Sequence, residues 1–180
     1  RGTRPAGRGF AFVAGADDGN ALLYNPAGLA FAGTSLFIDA TLTLMDASYT
    51  RVDSGGNTLP TVDLAHPPLP IPMIAVTDNL GLRHWNFGAA ITAPNLVQYE
   101  YPQGPEAPQR YSLLSLEGSI VGRVIIGASY RPFPELSIGI SGELMVGTLR
   151  TRVALSACDG FVCSFQEDPS WDGVVELNSL

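Results

Sequence analysis

Four stretches of this chain alternate apolar residues with small or polar ones at a strict period of two, and nothing else in it constrains the fold as tightly. The clearest stretch runs Leu136, Ile138, Ile140, Leu144, Val146, with Ser137, Gly139, Ser141, Glu143 and Gly147 on the opposite parity. Leu36, Ile38, Ala40, Leu42 and Leu44 alternate with Phe37, Asp39, Thr41 and Thr43. Trp85, Phe87, Ala89, Ile91 and Ala93 alternate with Asn86, Gly88, Ala90 and Thr92. Leu116, Ile120, Val124, Ile126 and Ala128 alternate with Glu117, Ser119, Arg123, Gly127 and Ser129. Successive side chains on a strand point to opposite faces, so each stretch predicts a strand with one apolar face. Weaker strands are expected over residues 69–77, where Pro70 and Pro72 disturb the start, and over 171–177. About six strands follow, with no amphipathic helix of ordinary length.

The connections alternate in length. Long polar or proline-rich stretches cover residues 50–68, 95–111 and 156–170, and short turns, DNLGLRH and RPFPEL, lie between them. Such alternation is what a transmembrane β-barrel shows, and nine-residue strands such as 36–44 are close to the roughly 9–11 needed to cross a bilayer at a tilt. Trp85 and Tyr130 lie beside the short turns, and Tyr49 and Tyr111 border the long stretches, as interfacial aromatic girdles would. A soluble sandwich can carry the same alternation, so both architectures stay open on pattern alone.

Only 15% of residues are charged, against about 25% in an ordinary soluble domain, so the surface is poor in ions. No apolar run approaches the roughly 18 residues that read as a membrane helix. The net charge of −7 and the lack of a basic face argue against a nucleic-acid partner. Cys158 and Cys163 have no second pair, and His66 and His84 are far from them in sequence, so no metal site and no cofactor is expected. In an oxidising compartment the two cysteines are candidates for a local disulfide. No Gly-x-Ser-x-Gly elbow and no phosphate loop is present, so no enzyme is expected. The first residue is Arg1 and the last stretch, GVVELNSL, stops inside a strand pattern, so both ends read as cut.

Residues 1–33 are rich in Gly and Ala. Asp17 or Asp18 is placed to cap a short helix that ends near Tyr24, because Asn25 precedes a proline. Asn25 can cap a second turn with Pro26 at its first position. Helices this short do not stand alone in water, so the segment must pack on a larger body.

The stretch AGRGFAFVAGADDGNALLYNPAGLAFAG, followed by alternating strands, resembles the N-terminus of the FadL-type outer-membrane transporters of long-chain fatty acids and other hydrophobic compounds. The hairpin VIIGASYRPFPELSIGISGEL is similar to that family's strand–turn–strand pattern. The resemblance implies an all-β fold: the first strands of an antiparallel transmembrane β-barrel, here an open curved sheet. A small N-terminal helical hatch (residues 1–33) would plug it, residues 34–180 being strands truncated at the C-terminus. It implies passive transport of hydrophobic small molecules across the outer membrane of a Gram-negative bacterium. Outer-membrane lipids would surround the barrel, which would be monomeric at full length.

The resemblance makes Asn25, Pro26 and Ala27 gating candidates of the hatch; an ordinary capped turn is the plainer reading. Phe10, Phe12, Leu22, Leu23 and Phe31 are candidates either to line a pocket for the ligand or simply to pack hatch against wall. Pro94 cannot donate a ladder hydrogen bond, so it either marks a lateral opening or only ends its strand. The paired parities of the last hairpin put Arg123 and Glu143 together as a lumen ion pair. A soluble all-β ligand-binding module is the alternative.

Overall fold

The computed structural model describes residues 2–52, 55–64, 68–93, 100–102, 113–116, 118–155 and 173–179. Among them are nine strands: β1 (Ser35–Thr43), β2 (Ser48–Tyr49), β3 (Val62–Asp63), β4 (Leu69–Asp78), β5 (Trp85–Thr92), β6 (Leu113–Ser115), β7 (Ile120–Phe133), β8 (Leu136–Leu155) and β9 (Gly173–Ser179). Among the described residues helix is confined to α1 (Thr3–Gly7), α2 (Ala21–Tyr24) and 3-10 turns at Val13–Gly15 and Pro26–Phe31. The fold is therefore all-β and mainly antiparallel, as the alternation predicts.

The chain divides into two compact units. One holds Arg1–Thr43, Pro70–Asn95 and Val121–Val146; the other holds Leu44–Leu69, Leu96–Ile120 and Gly147–Leu180. In the first, the strands lie in the order β1-β4-β5-β7-β8. β4 pairs antiparallel with β5 from Met73 opposite Thr92 to Asp78 opposite Phe87. β5 pairs antiparallel with β7 from Trp85 opposite Tyr130 to Thr92 opposite Arg123. Pro70 and Pro72 precede the β4–β5 ladder, which starts at Met73, so neither proline is asked for a hydrogen bond to β5.

The two faces of this sheet differ in a way that decides where the core sits. One face carries Leu36, Ile38 and Leu42 of β1, Ile74 and Val76 of β4, Ile91 of β5, Ile126 of β7, and Ile138, Ile140 and Val146 of β8; all of these are exposed. The other face carries small and polar residues, and Ala75, Thr77, Asn86, Ala90, Thr92 and Ser129 on it are buried. Residues 2–33 provide the cover. Phe12, Ala16, Ala21, Leu22 and Leu29 form one hydrophobic cluster with Met73, Ala75, Ala90 and Ile125 of the sheet. This sheet buries its small-residue face and leaves its bulky apolar face open, the reverse of the usual arrangement.

In the second unit, the end of β8 pairs with β6 and, from Leu149 opposite Ser179 to Leu155 opposite Gly173, with β9. β2 and β3 make a separate antiparallel pair, Ser48 opposite Asp63. Ser119 joins this unit locally: its hydroxyl donates to the Arg150 carbonyl at 3.0 Å and accepts from the Arg150 N–H at 2.9 Å.

Three expectations need correction. The strand expected from Leu116 begins only at Ile120, because Gly118 adopts φ +74° and breaks the run. The turn RPFPE shrinks to Pro134 and Glu135, since β7 continues through Phe133 and β8 starts at Leu136. The last hairpin strand does not end at Val146 but runs on to Leu155.

Candidate functional site

Asn25 folds the segment on which the site is built. Its backbone leaves α2 in an extended conformation, φ −163°, ψ 98°, as a residue before proline should. Its Oδ1 accepts from the Ala27 N–H at 3.2 Å, capping the 3-10 turn that starts at Pro26. Its Nδ2 donates to the Val13 carbonyl at 3.1 Å, so one side chain ties two turns together. Upstream, Asp18 Oδ1 accepts from the Asn20 N–H at 2.8 Å, a turn just ahead of α2; the N-cap of α2 itself is Asn20, with no side-chain cap bond, so neither Asp17 nor Asp18 is the helix cap expected from the sequence.

Three glycines of the sheet receive this segment. Gly88 of β5 lies opposite Gly127 of β7. A Cβ on Gly88 would meet the Leu22 and Leu29 methyls at 3.1–3.3 Å, and one on Gly127 would meet them at 2.7 and 3.3 Å. A Cβ on Gly139 of β8 would overlap the Pro26–Ala27 peptide itself. Within the segment, a Cβ on Gly28 would overlap the Ala16 carbonyl oxygen. The Pro26–Ala27 peptide thus lies directly against β8 at Gly139, where the strand has no side chain.

The segment is fixed at its exit too. The Gly33 carbonyl accepts from Thr77 Oγ1 at 2.7 Å and from Asn86 Nδ2 at 3.2 Å. Thr77 has spent its one hydroxyl hydrogen, so its contact with Ser35 Oγ at 2.8 Å is a hydrogen bond it accepts. At the entrance, the Thr3 N–H donates to Asp39 Oδ2 of β1 at 2.9 Å. Arg4 Nη1 bridges Asp17 at 2.7 Å and Asp18 at 2.5 Å. The Arg4 hydrogen bond holds the Asp17 carboxyl below its usual range, and Asp17 and Asp18 raise the Arg4 guanidinium above its own.

The five pocket candidates do not converge. Phe12 and Leu22 are buried in the core, Phe12 edge-on to Tyr24 with ring centroids 5.6 Å apart. Leu23 packs partly buried against the same cluster. Phe10, at φ +65°, and Phe31 are exposed. Phe31 faces the Arg131 guanidinium, 4.5 Å from its ring centroid. Arg123 and Glu143 do meet, Nε to Oε1 3.0 Å. Pro94, Cys158, Cys163, His66 and Tyr111 lie outside the described residues. Among the described residues no group of three or more His, Cys, Asp or Glu side chains could hold a metal ion. Among them, too, no helix is long and apolar enough to cross a membrane, which says nothing of strands.

The glycine seat and the Gly33 anchor are the features that sequence reading misses. A signal exists for the seat: Gly88, Gly127 and Gly139 all fall on the polar parity of their strands, where glycine marks close approach by another backbone. Comparison with family models, with curated proteins and with solved structures gives no match.

Proposed function

We propose that this chain forms part of an outer-membrane β-barrel of the FadL-like kind, with residues 1–33 as its hatch, and that the barrel passes hydrophobic small molecules. The observation that carries the reading is the inverted sheet. Large aliphatic side chains stand exposed on five neighbouring strands, while a segment of the chain itself covers the small-residue face. Contiguous exposed apolar faces of this extent mark a lipid or protein contact. The inner face, built of Gly, Ala, Ser, Thr and Asn with the Arg123–Glu143 pair, suits a plugged lumen. Trp85 and Tyr130, paired across β5 and β7 with centroids 4.8 Å apart beside the short turns, fit an interfacial girdle.

Trp85 supplies the test of placement. In a Trp171→Phe background it is the remaining tryptophan. Lipids brominated near the headgroup should quench its fluorescence in vesicles more than lipids brominated at the chain end. A chain that stays monodisperse in buffer without detergent and shows no quenching is the soluble binding module instead. Transport is tested with the intact gene in a Gram-negative host lacking its own hydrophobic-compound channels, by uptake of a labelled apolar solute. Uptake no greater than in the empty host refutes it.

A further inference from the structure

A basic cavity, an aromatic pair and an apolar groove follow one another along β5 in the first unit. The cavity, of about 350 Å³, lies between the two short turns, with Asn79, Arg83, Trp85 and Arg131 in its wall. Among the described residues no carboxylate lines it. Arg83 is exposed and makes no hydrogen bond or ion pair with the described residues. Arg131 is held by Phe31, 4.5 Å from its ring centroid, and by the bond from its Nη2 to the Pro134 carbonyl at 2.8 Å; its Nη1 is neither buried nor bonded. Asn79 Oδ1 accepts from the Gly81 N–H at 2.9 Å, which leaves its exposed Nδ2 to donate. The wall thus presents open donors, two of them on cations, with no anion beside them, as oxyanion sites do. The groove, of about 490 Å³, lies on the open apolar face, where Phe87, Ile126 and Ile140 flank a floor of Ala128 and Gly142. Trp85 joins the two. It stands in the cavity wall, opposite Tyr130, and stacks on Phe87 of the groove with ring centroids 6.0 Å apart and 5° between planes.

We infer that this strip binds one anionic glycerophospholipid of the surrounding bilayer. Its phosphate accepts from Arg83, from Arg131 Nη1 and from Asn79 Nδ2. Its glycerol lies at Trp85 and Tyr130, whose rings have the amphipathic character suited to that depth. One acyl chain lies in the groove between Phe87 and Gly142. The order of the three regions fixes the occupant. Two residues along a strand advance about 7 Å, so Trp85 to Phe87 is one short step from charge to hydrocarbon. The cavity supplies charge complementarity for the phosphate, and the adjoining groove supplies a purely apolar wall. A free phosphate has nothing to place in that groove. The inference rests on the barrel reading for its bilayer and goes beyond it, because the lipid is held at one fixed site and not merely as solvent.

The test is calorimetric titration of the full chain in non-ionic detergent with dihexanoylphosphatidylglycerol, dihexanoylglycerol and inorganic phosphate. The phospholipid should bind saturably and more tightly than either of its parts. Arg83→Gln should weaken it roughly tenfold, the usual effect of losing a hydrogen bond to a charged group. Arg150→Gln removes an exposed cation of the second unit and should leave it unchanged. Gly142→Leu adds a side chain where a Cβ meets nothing within 4 Å; it should fill the groove, weaken the phospholipid and spare phosphate. Equal phospholipid affinity in wild type and Arg83→Gln, or an equal loss in Arg150→Gln, overturns the site. Phosphate binding as tight as phospholipid binding makes it a free-anion site and overturns the lipid. Dihexanoylglycerol binding as tight as the phospholipid overturns the role of the phosphate. If Trp85 enters vesicles but the phospholipid ignores Arg83, the lipid site falls and the barrel reading stands. If Arg83-dependent binding occurs in a chain that rejects vesicles, the site stands and the barrel reading falls.

Discussion

Gly139→Ala tests the docking of the Asn25-Pro26-Ala27 stretch with a single methyl group. That methyl would overlap the carbonyl carbon and oxygen of Pro26 and the nitrogen of Ala27. These are backbone atoms and cannot rotate away, so the segment must lift by about 1 Å or more to restore van der Waals contact. Overpacking of this kind costs about 1–3 kcal/mol. Gly142→Ala on the same strand is the matched comparison, because its Cβ would meet nothing within 4 Å. Removing a strand glycine there should be neutral or help by roughly 0.5–1 kcal/mol. Docking of the segment should thus weaken by about 2 kcal/mol in Gly139→Ala alone, a roughly 30-fold rise in its opening equilibrium. Hydrogen exchange of residues 23–28 reads that equilibrium, since Tyr24 N–H is bonded to Asn20 O, Asn25 N–H to Ala21 O and Gly28 N–H to Asn25 O. If Gly139→Ala exchanges no faster there than Gly142→Ala, the peptide does not lie on Gly139 and the seat is misassigned.

Asn25→Ala should loosen the segment by about 1–2 kcal/mol, because it removes both the cap on Ala27 and the tie to Val13; Asn25→Asp, which keeps the acceptor, should cost less by the same exchange measurement. Arg123→Gln, Glu143→Gln and their combination form a cycle whose coupling should be about 0.2–1 kcal/mol, since the two side chains are 22% and 40% exposed; coupling indistinguishable from zero would remove the pair from the inner face's energetics. Asp17 is depressed in the fold by Arg4, so its contribution is present above the unfolded carboxylate range near 3.8 and is lost as pH falls through the lower folded value. Protection of residues 2–20 should therefore be flat above about pH 5, fall below about pH 4, and lose most of that fall in Asp17→Asn. The pair is half exposed, so high salt should shrink the effect.

Periodicity made both faces of β1, β5, most of β7 and the first half of β8 legible, and the pre-proline rule with Asn capping made the turn at Asn25 legible, because both are local properties of the chain. What stayed hidden depends on neighbours across the sheet. Gly88, Gly127 and Gly139 become one seat only once Gly88 stands opposite Gly127 and β8 lies beside β7. Asn86 reads as an ordinary polar-face residue until Gly33, far away along the chain, is brought to its Nδ2. The five pocket candidates separate for a related reason. Phe10 and Phe12 look equivalent in sequence, but the left-handed backbone at Phe10 sends one ring outward and lets the other enter the core. The break at Gly118 was visible as a glycine, yet only its positive φ ends the strand.

The seat also dictates an order of events in assembly. Pro26 and Ala27 rest on Gly139, more than a hundred residues further along the chain. Closing a loop of that length costs about 4 kcal/mol of chain entropy, which no single contact of the segment offsets. Residues 2–33, made before those strands, are therefore among the last to settle: they wait until β5, β7 and β8 stand side by side. Until then Phe12, Leu22 and Leu29 have no partner surface, and the nascent chain carries them uncovered. Anything that slows formation of the β7–β8 hairpin prolongs that interval, so variants in Pro134 and Glu135, remote from the N-terminus, should lower the yield of correctly closed molecules without changing the finished structure.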